Sequence, residues 1–347
     1  MKVDYIIVGL GLAGLAFAEK LLEEGKTFLV YEDTSQNSSI VAAGAYNPVI
    51  LKRFTPVWDA EDQLKLAKSF YDKLKKKLQQ KLDYELTILR IFKSIEEQND
   101  WFMACDKPFF SNYMLPKVIP NQNENVIAPF GSGRIKNIGK IDTKTLIDSY
   151  KSYLIAEGLL VNETFDHSSI IFNDNELNYK DITAKRIIFC EGYGVKKNPF
   201  FNDVPIMGAK GELLTIYAPN LKVDEMLKSA VFVMPIGNDM YKVGATFNWT
   251  DKTITPTDEG KEELIEKLSK VITSKYEIMD HNAGVRPTTK DRRPILGKHK
   301  TYKQLAILNG LGTRGVMLAP KMAQKLFEHL ENDQPLDKEI TIDRFYG

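Results

Sequence analysis

Four residues near the start of the chain have the types and spacing to hold a diphosphate. Gly9, Gly11 and Gly14 form G-x-G-x-x-G, and Glu32 follows about 20 residues on. The first glycine permits a tight turn, the second lets backbone amides approach a pyrophosphate, and the third lets a following helix pack closely. The start of that helix would face the phosphates with unsatisfied N–H groups and a partial positive charge. Glu32 is placed to accept a hydrogen bond from a ribose 2′-OH and to repel a 2′-phosphate, which disfavours NADP. The expectation is a bound adenine dinucleotide, with FAD and NAD not separated by the motif. Near the other end, Arg286 lies between Val285 and Pro287, a rigid setting for a guanidinium that grips a planar carboxylate bidentately. A salt bridge to an acid of its own lobe is the competing role.

These residues need elements to position them. Tyr5 to Val8 and Phe28 to Tyr31 read as buried parallel strands, with an amphipathic helix from Leu15 to Glu24 between them. Asp4, the periodic helix through Glu19 and Glu23, and the matched second strand argue against reading this stretch as a signal peptide. The stretch after Glu32 is polar and then small. Ser38 and Ser39 could donate hydroxyls to phosphate, and Ala42, Ala43 and Gly44 let the backbone approach a flat ring, unless the loop is simply tightly packed. A strand through Ile187, Ile188 and Phe189 ends in the small-residue turn containing Gly192 and Gly194, where the far half of a dinucleotide crosses the strand ends.

Helical spacing predicts helices over Asp59 to Leu82, capped by Asp59, and over Ile141 to Ala156, capped by Asp142. Another runs from Thr257 to Ile272. The run Lys75-Lys76-Lys77 is expected on a solvated face. Tyr84 to Ala128 reads as short strands and loops whose aromatics, Trp101, Phe102, Phe109, Phe110 and Tyr113, are core rather than pocket wall. From Gly208 to Trp249 short β-rich runs alternate with polar turns, as an antiparallel sheet does. Gly310, Gly312 and Gly315, with Thr313 and Arg314 among them, punctuate a turn into a helix from Val316 to Leu330. Such a helix start could stabilise negative charge on a reduced flavin. Arg314 is shared between a substrate role and a surface role.

At 347 residues the chain exceeds one comfortable core, so two lobes are expected. Formal net charge is +1, from 47 Lys and Arg against 46 Asp and Glu, which gives no bulk drive toward nucleic acid or an anionic membrane. The two cysteines, Cys105 and Cys190, form no disulfide or zinc pattern, and the four histidines have no metal-ligand spacing. No metal is expected, and a reduced, cytoplasmic setting fits. No run of about 20 apolar residues predicts a membrane helix.

Taken together, GLGLAG, the EGYG turn, Ala283 to Asp291 (A-G-x-R-P-x-T-K-D), Pro294 to Gly297 and Gly310 to Pro320 (G-x-x-x-x-G-x-x-L-A-P) resemble the D-amino-acid oxidase family of FAD flavoproteins, most of all its glycine oxidase branch. The resemblance implies an α/β protein: a Rossmann-like FAD-binding domain from the discontinuous segments 1–83, 135–205 and 280–347, and an α+β substrate domain built on an antiparallel sheet from 84–134 and 206–279. It implies hydride transfer from the carbon bearing an amine nitrogen to flavin N5, hydrolysis of the imine, and dioxygen as acceptor. The substrate is then a small amine or amino acid, and homo-oligomerisation is allowed. Cofactor residues on this reading are Gly9, Gly11, Gly14, Glu32, Ser39, Ala43, Gly44, Gly192, Gly310, Gly312, Thr313, Gly315 and Val316. Arg286 matches the family arginine for a substrate carboxylate, and Arg314 is the second catalytic candidate. No cysteine lies near 284–315, so the FAD is expected to be non-covalent. Phe232 stands where a tyrosine partner is looked for and Ile236 where a basic residue is common, with Tyr241 or Tyr217 as replacements for the hydroxyl. A tRNA-modifying oxidase of the same fold, and a dehydrogenase passing electrons to a protein or quinone, are the alternatives.

Overall fold

The structure, a computed structural model, describes residues 1–346. Its N-terminal unit is strand β1 (Lys2–Val8), helix α1 (Leu12–Glu23) and strand β2 (Phe28–Tyr31). The strands form because their apolar, largely β-branched residues can be covered on both faces, and β1 pairs in parallel with β2 and with Ile182–Phe189. The first sheet has the order Ile295–Lys298, Leu305–Asn309, Ile182–Phe189, β1, β2, Leu160–Val161, with parallel pairing except at the Ile295–Lys298 edge and in a small antiparallel extension at Leu177–Tyr179 and Ile170–Phe172. One face packs against α1 and the helices Ala60–Leu78, Thr143–Ala156 and Gly315–Glu331; the other closes over Tyr31, Phe165, Tyr179, Phe189 and Phe201.

A second sheet runs in the order Glu277–Arg286, Ala209–Tyr217, Met240–Gly244, Phe232–Gly237, Met226–Lys228, Asp83–Ile91, Ser132–Ile141, Ala45–Tyr46. All its pairs are antiparallel except Met226–Lys228 with Asp83–Ile91. The helix Asp258–Leu268, capped by the Thr257 hydroxyl, covers one face with Leu264 and Leu268. The chain is thus α/β, a Rossmann-like unit joined to an α+β unit. The expected boundaries at 134/135 and 279/280 fall inside Ser132–Ile141 and Glu277–Arg286, because both strands find their hydrogen-bonding partners in the second sheet.

Several local expectations need correction. Asp59 precedes the helix Ala60–Leu78 but does not cap it: its carboxylate pairs with Lys321 at 2.6 Å. Lys77 is not merely solvated, since it reaches back to Glu19 at 2.6 Å. The region read as strands and loops holds a helix, Ile95–Cys105, whose Ser94 hydroxyl accepts the Glu97 N–H. Its Trp101 is fully buried with Phe110, whereas Phe102 is exposed. No helix among the described residues is long and apolar enough to cross a membrane.

Candidate active site

A cavity of about 790 Å³ lies between the two sheets. At one end, β1 stops at Val8 and Gly9 turns with φ +96°, in the left-handed region, where a side chain would also meet the Cys190 carbonyl oxygen at 2.7 Å. Gly11 takes the N-cap position of α1 without a capping side chain, so the first-turn amides and the positive end of the helix face the cavity. Gly14 lies outside the lining. A Cβ there would come within 1.9 Å of the Gly9 carbonyl oxygen, so its place is to let α1 close onto the turn. Glu32 lines the cavity just beyond β2, and its carboxylate accepts the N–H groups of Leu10 at 2.5 Å and Thr34 at 2.7 Å. The Ser39 hydroxyl accepts the Leu12 N–H at 3.2 Å and keeps its own proton to donate.

The middle of the cavity is walled by Ala43 and Gly44 on one side and by Gly192 on another, whose carbonyl accepts the Asn309 side-chain amide at 2.8 Å. Gly312, Thr313, Gly315 and Val316 also line it, where the chain enters the helix Gly315–Glu331. Gly310 and Arg314 do not. Arg314 occupies the N-cap position of that helix, and burial together with the charges of Arg292 and Arg293 holds its guanidinium below the usual arginine range. Its guanidinium is thus placed at the start of the helix and not in the cavity wall. The start of α1, the Ser39 hydroxyl, a carboxylate just beyond β2 and a wall of small residues together fit an adenine dinucleotide.

Arg286 ends the strand Glu277–Arg286 and lines the cavity, stacked over the Phe247 ring at 4.4 Å. Its space exists because residue 211 on the neighbouring strand is glycine: a Cβ there would meet the guanidinium nitrogen at 1.9 Å. Its hydrogen bond within the protein is to the Thr246 carbonyl at 3.3 Å, and burial lowers it to about 10. Among the described residues no carboxylate lies within ion-pair distance of it, so the competing salt-bridge role is absent. A half-buried guanidinium that lacks a counter-ion is a receptor for an anion.

Neither proposed tyrosine substitute reaches this place. The Tyr241 hydroxyl is turned into the opposite face of the sheet, near the Val223 N–H at 3.3 Å, and Tyr217 and Ile236 are exposed and outside the lining. Sequence reasoning missed other walls. Thr164, Phe165 and His167 follow the strand Leu160–Val161, and His167 meets Glu191 at 2.9 Å. The rule that ligands gather at the carboxyl ends of parallel strands could have found them. Leu213, Met226, Lys228 and Lys267 left no local signal, whereas Phe232, singled out in the sequence, does line the cavity. Cys190 lines the turn end beside Gly9, and burial pushes its thiol up, away from reactive thiolate. Among the described residues no group of His, Cys, Asp or Glu is arranged to hold a metal ion.

Comparison with known proteins places this geometry among relatives. Residues 4–329 match the family model DAO, FAD dependent oxidoreductase. The chain is 25% identical to glycine oxidase of Bacillus subtilis over 232 residues, which cover 62% of this chain and 61% of that protein. It is 21% identical to the tRNA 5-methylaminomethyl-2-thiouridine biosynthesis bifunctional protein of Marinobacter nauticus, across 94% of this chain and 55% of that protein. These matches therefore span less than two thirds of either relative. The solved glycine oxidase of Geobacillus kaustophilus superposes with a TM-score of 0.77 at 18% identity, covering 97% of both chains.

Proposed function

The chain belongs to the DAO family of FAD-dependent oxidoreductases, and on that premise we propose that it oxidises the C–N bond of a small amine that carries a carboxylate. The observation that carries this reading is Arg286, a cavity-lining guanidinium with no acidic partner among the described residues. It binds the substrate carboxylate and so fixes which C–H bond faces the redox cofactor. The turn with Gly9 and Gly11, the start of α1, and Glu32 bind the adenine dinucleotide part of FAD, held without a covalent link. The small wall at Ala43 and Gly44 and the segment from Gly312 to Val316 border the flavin, with the first sheet as the cofactor lobe and the second as the substrate lobe. Bound there, FAD supplies a two-electron acceptor, so that the amine becomes an imine that water hydrolyses, with dioxygen taking the electrons on to hydrogen peroxide.

The test is aerobic turnover of an amine panel with peroxide and oxygen both measured. One peroxide per oxygen consumed is expected for carboxylated amines. Fast reduction of an artificial acceptor with negligible oxygen uptake would instead assign a dehydrogenase. A second reading, oxidation of an amine on a modified tRNA base, is favoured by the match to the tRNA-modifying relative over 94% of this chain. It requires a tRNA complex whose affinity falls steeply with salt, which gel-shift titration measures.

A further inference from the structure

Lys228 is a second cation in the cavity that no carboxylate answers. It ends the short strand Met226–Lys228 and lines the same cavity as Arg286. Among the described residues its ammonium makes no hydrogen bond or ion pair, and it lies 5.9 Å from the centre of the Phe232 ring. The cations around it are better matched: Arg90 is bonded to Glu97 and Lys267 to Glu263. Burial, then Arg90, Lys267 and Lys93, lower the Lys228 ammonium to about 8.

The sheet register places Lys228 relative to Arg286. Leu213 pairs with Gly244, Gly244 with Phe232, and Phe232 with Lys228, so these four form one row across the sheet on a single face. Leu213, Phe232 and Lys228 all line the cavity, which makes that the cavity face. The Arg286 guanidinium sits over Gly211, two residues along the strand from Leu213 and on the same face. Three strand spacings and two residues of rise put the Lys228 backbone about 16 Å from Gly211. A lysine side chain laid along this row spans roughly 6 Å of it and an upright one none, so the two charges lie about 10–16 Å apart. Leu213 and Phe232 give the intervening strip an apolar surface.

We propose that Lys228 anchors a second anionic group of the substrate, so that the preferred substrate is a dianionic amine with one carboxylate on Arg286 and a carboxylate or phosphoryl group on Lys228. Allowing about 4 Å for contact at each end leaves roughly 2–8 Å between the anionic centres, and a spacer of about three to four carbons, about 5–6 Å long, falls in the middle of that range. The inference rests on the proposed function in taking Arg286 as the seat of the first carboxylate.

The experiment is titration of the FAD-loaded protein with unreactive linear dicarboxylates from malonate to pimelate and with monocarboxylates of matched length, read by flavin absorption and by calorimetry. Glutarate or adipate is expected to bind about tenfold more tightly than the matched monocarboxylate, with a maximum at that length. Lys228→Met should abolish the preference while monocarboxylate affinity holds, and Lys228→Arg should keep it. The corresponding phosphonocarboxylates separate the two sources: tighter binding than the dicarboxylate assigns a phosphoryl group, weaker binding a carboxylate. Absence of any chain-length optimum in the unaltered protein overturns the proposal, as does a preference that survives in Lys228→Met. Arg286→Met separates the premise: if monocarboxylates bind it undiminished, the Arg286 reading fails, whereas a Lys228-dependent length preference is judged in the unaltered protein.

Discussion

Burial of Arg286 is offset by no carboxylate, so its charge adds no ion-pair stability to the empty protein. Arg286→Met is therefore expected to leave the apoprotein as stable as the parent, or more so, in urea unfolding. The same change should weaken carboxylate ligands by about 2–5 kcal/mol. Lost stability with unchanged carboxylate affinity would give Arg286 a packing role instead. Lys228 adds a pH dependence. It is faced by Arg90 and Lys93 at the end of the strand Asp83–Ile91 and by Lys267 from the helix Asp258–Leu268, with Glu97 and Glu263 engaged by Arg90 and Lys267. Only the protonated amine attracts an anion, so the preference for a dianionic ligand should be full well below pH 8 and decline as pH rises through about 8. Binding ratios measured across that range check the sign. That Gly9, Gly11, Glu32 and Arg286 gather at one cavity was legible in the sequence because each carries its constraint locally, in a turn, at a strand end or beside a proline. Lys228 and Lys267 were not, since they meet only when a short strand and a distant helix converge.

At the scale of elements, caps and registers position the site. The helix Thr143–Ala156 begins where the Asp142 carboxylate accepts the Thr145 N–H at 3.1 Å. Asp142→Ala should cost about 1 kcal/mol in denaturant unfolding, with flavin content unchanged. Ser94→Ala should cost a similar amount at Ile95–Cys105. The first cap was readable because a clear apolar period follows it. The second was not, although Ser94 and Glu97 have capping-box spacing, because the helix presents mainly acidic and exposed residues before Trp101. Glu277–Arg286 also escaped recognition as a strand: Asp280, His281 and Asn282 interrupt its apolar pattern, and its pairing with Ala209–Tyr217 spans the chain rather than a hairpin. That long pairing is what delivers Arg286 to the cavity. Gly211→Val, which fills the space of the guanidinium, should disable carboxylate binding while FAD binding persists.

At the scale of the molecule, the second sheet draws strands from both expected lobes, Ala45–Tyr46 joining Asp83–Ile91 through Ser132–Ile141, so the cavity is held by long-range pairing rather than by a hinge between independent units. A ligand that contacts both sheets stabilises them together. FAD at 100 times its dissociation constant should add about 2.7 kcal/mol to unfolding, and its removal should lower the melting temperature in a concentration-dependent way. The two-lobe architecture was legible from chain length and from the β-rich runs and polar turns of Gly208 to Trp249. The boundaries were not, because strand partnership is decided by pairing across the sheet and not by the residues near a boundary. On the proposed function, Arg286 selects amines bearing a carboxylate for oxidation by bound FAD. The most direct test of that selection is anaerobic bleaching of the flavin absorption by an amino acid and by the corresponding decarboxylated amine, in the unaltered protein and in Arg286→Met. Fast bleaching by the amino acid alone, with the difference erased in the variant, is the predicted result. Equal bleaching by both compounds in the unaltered protein would contradict it.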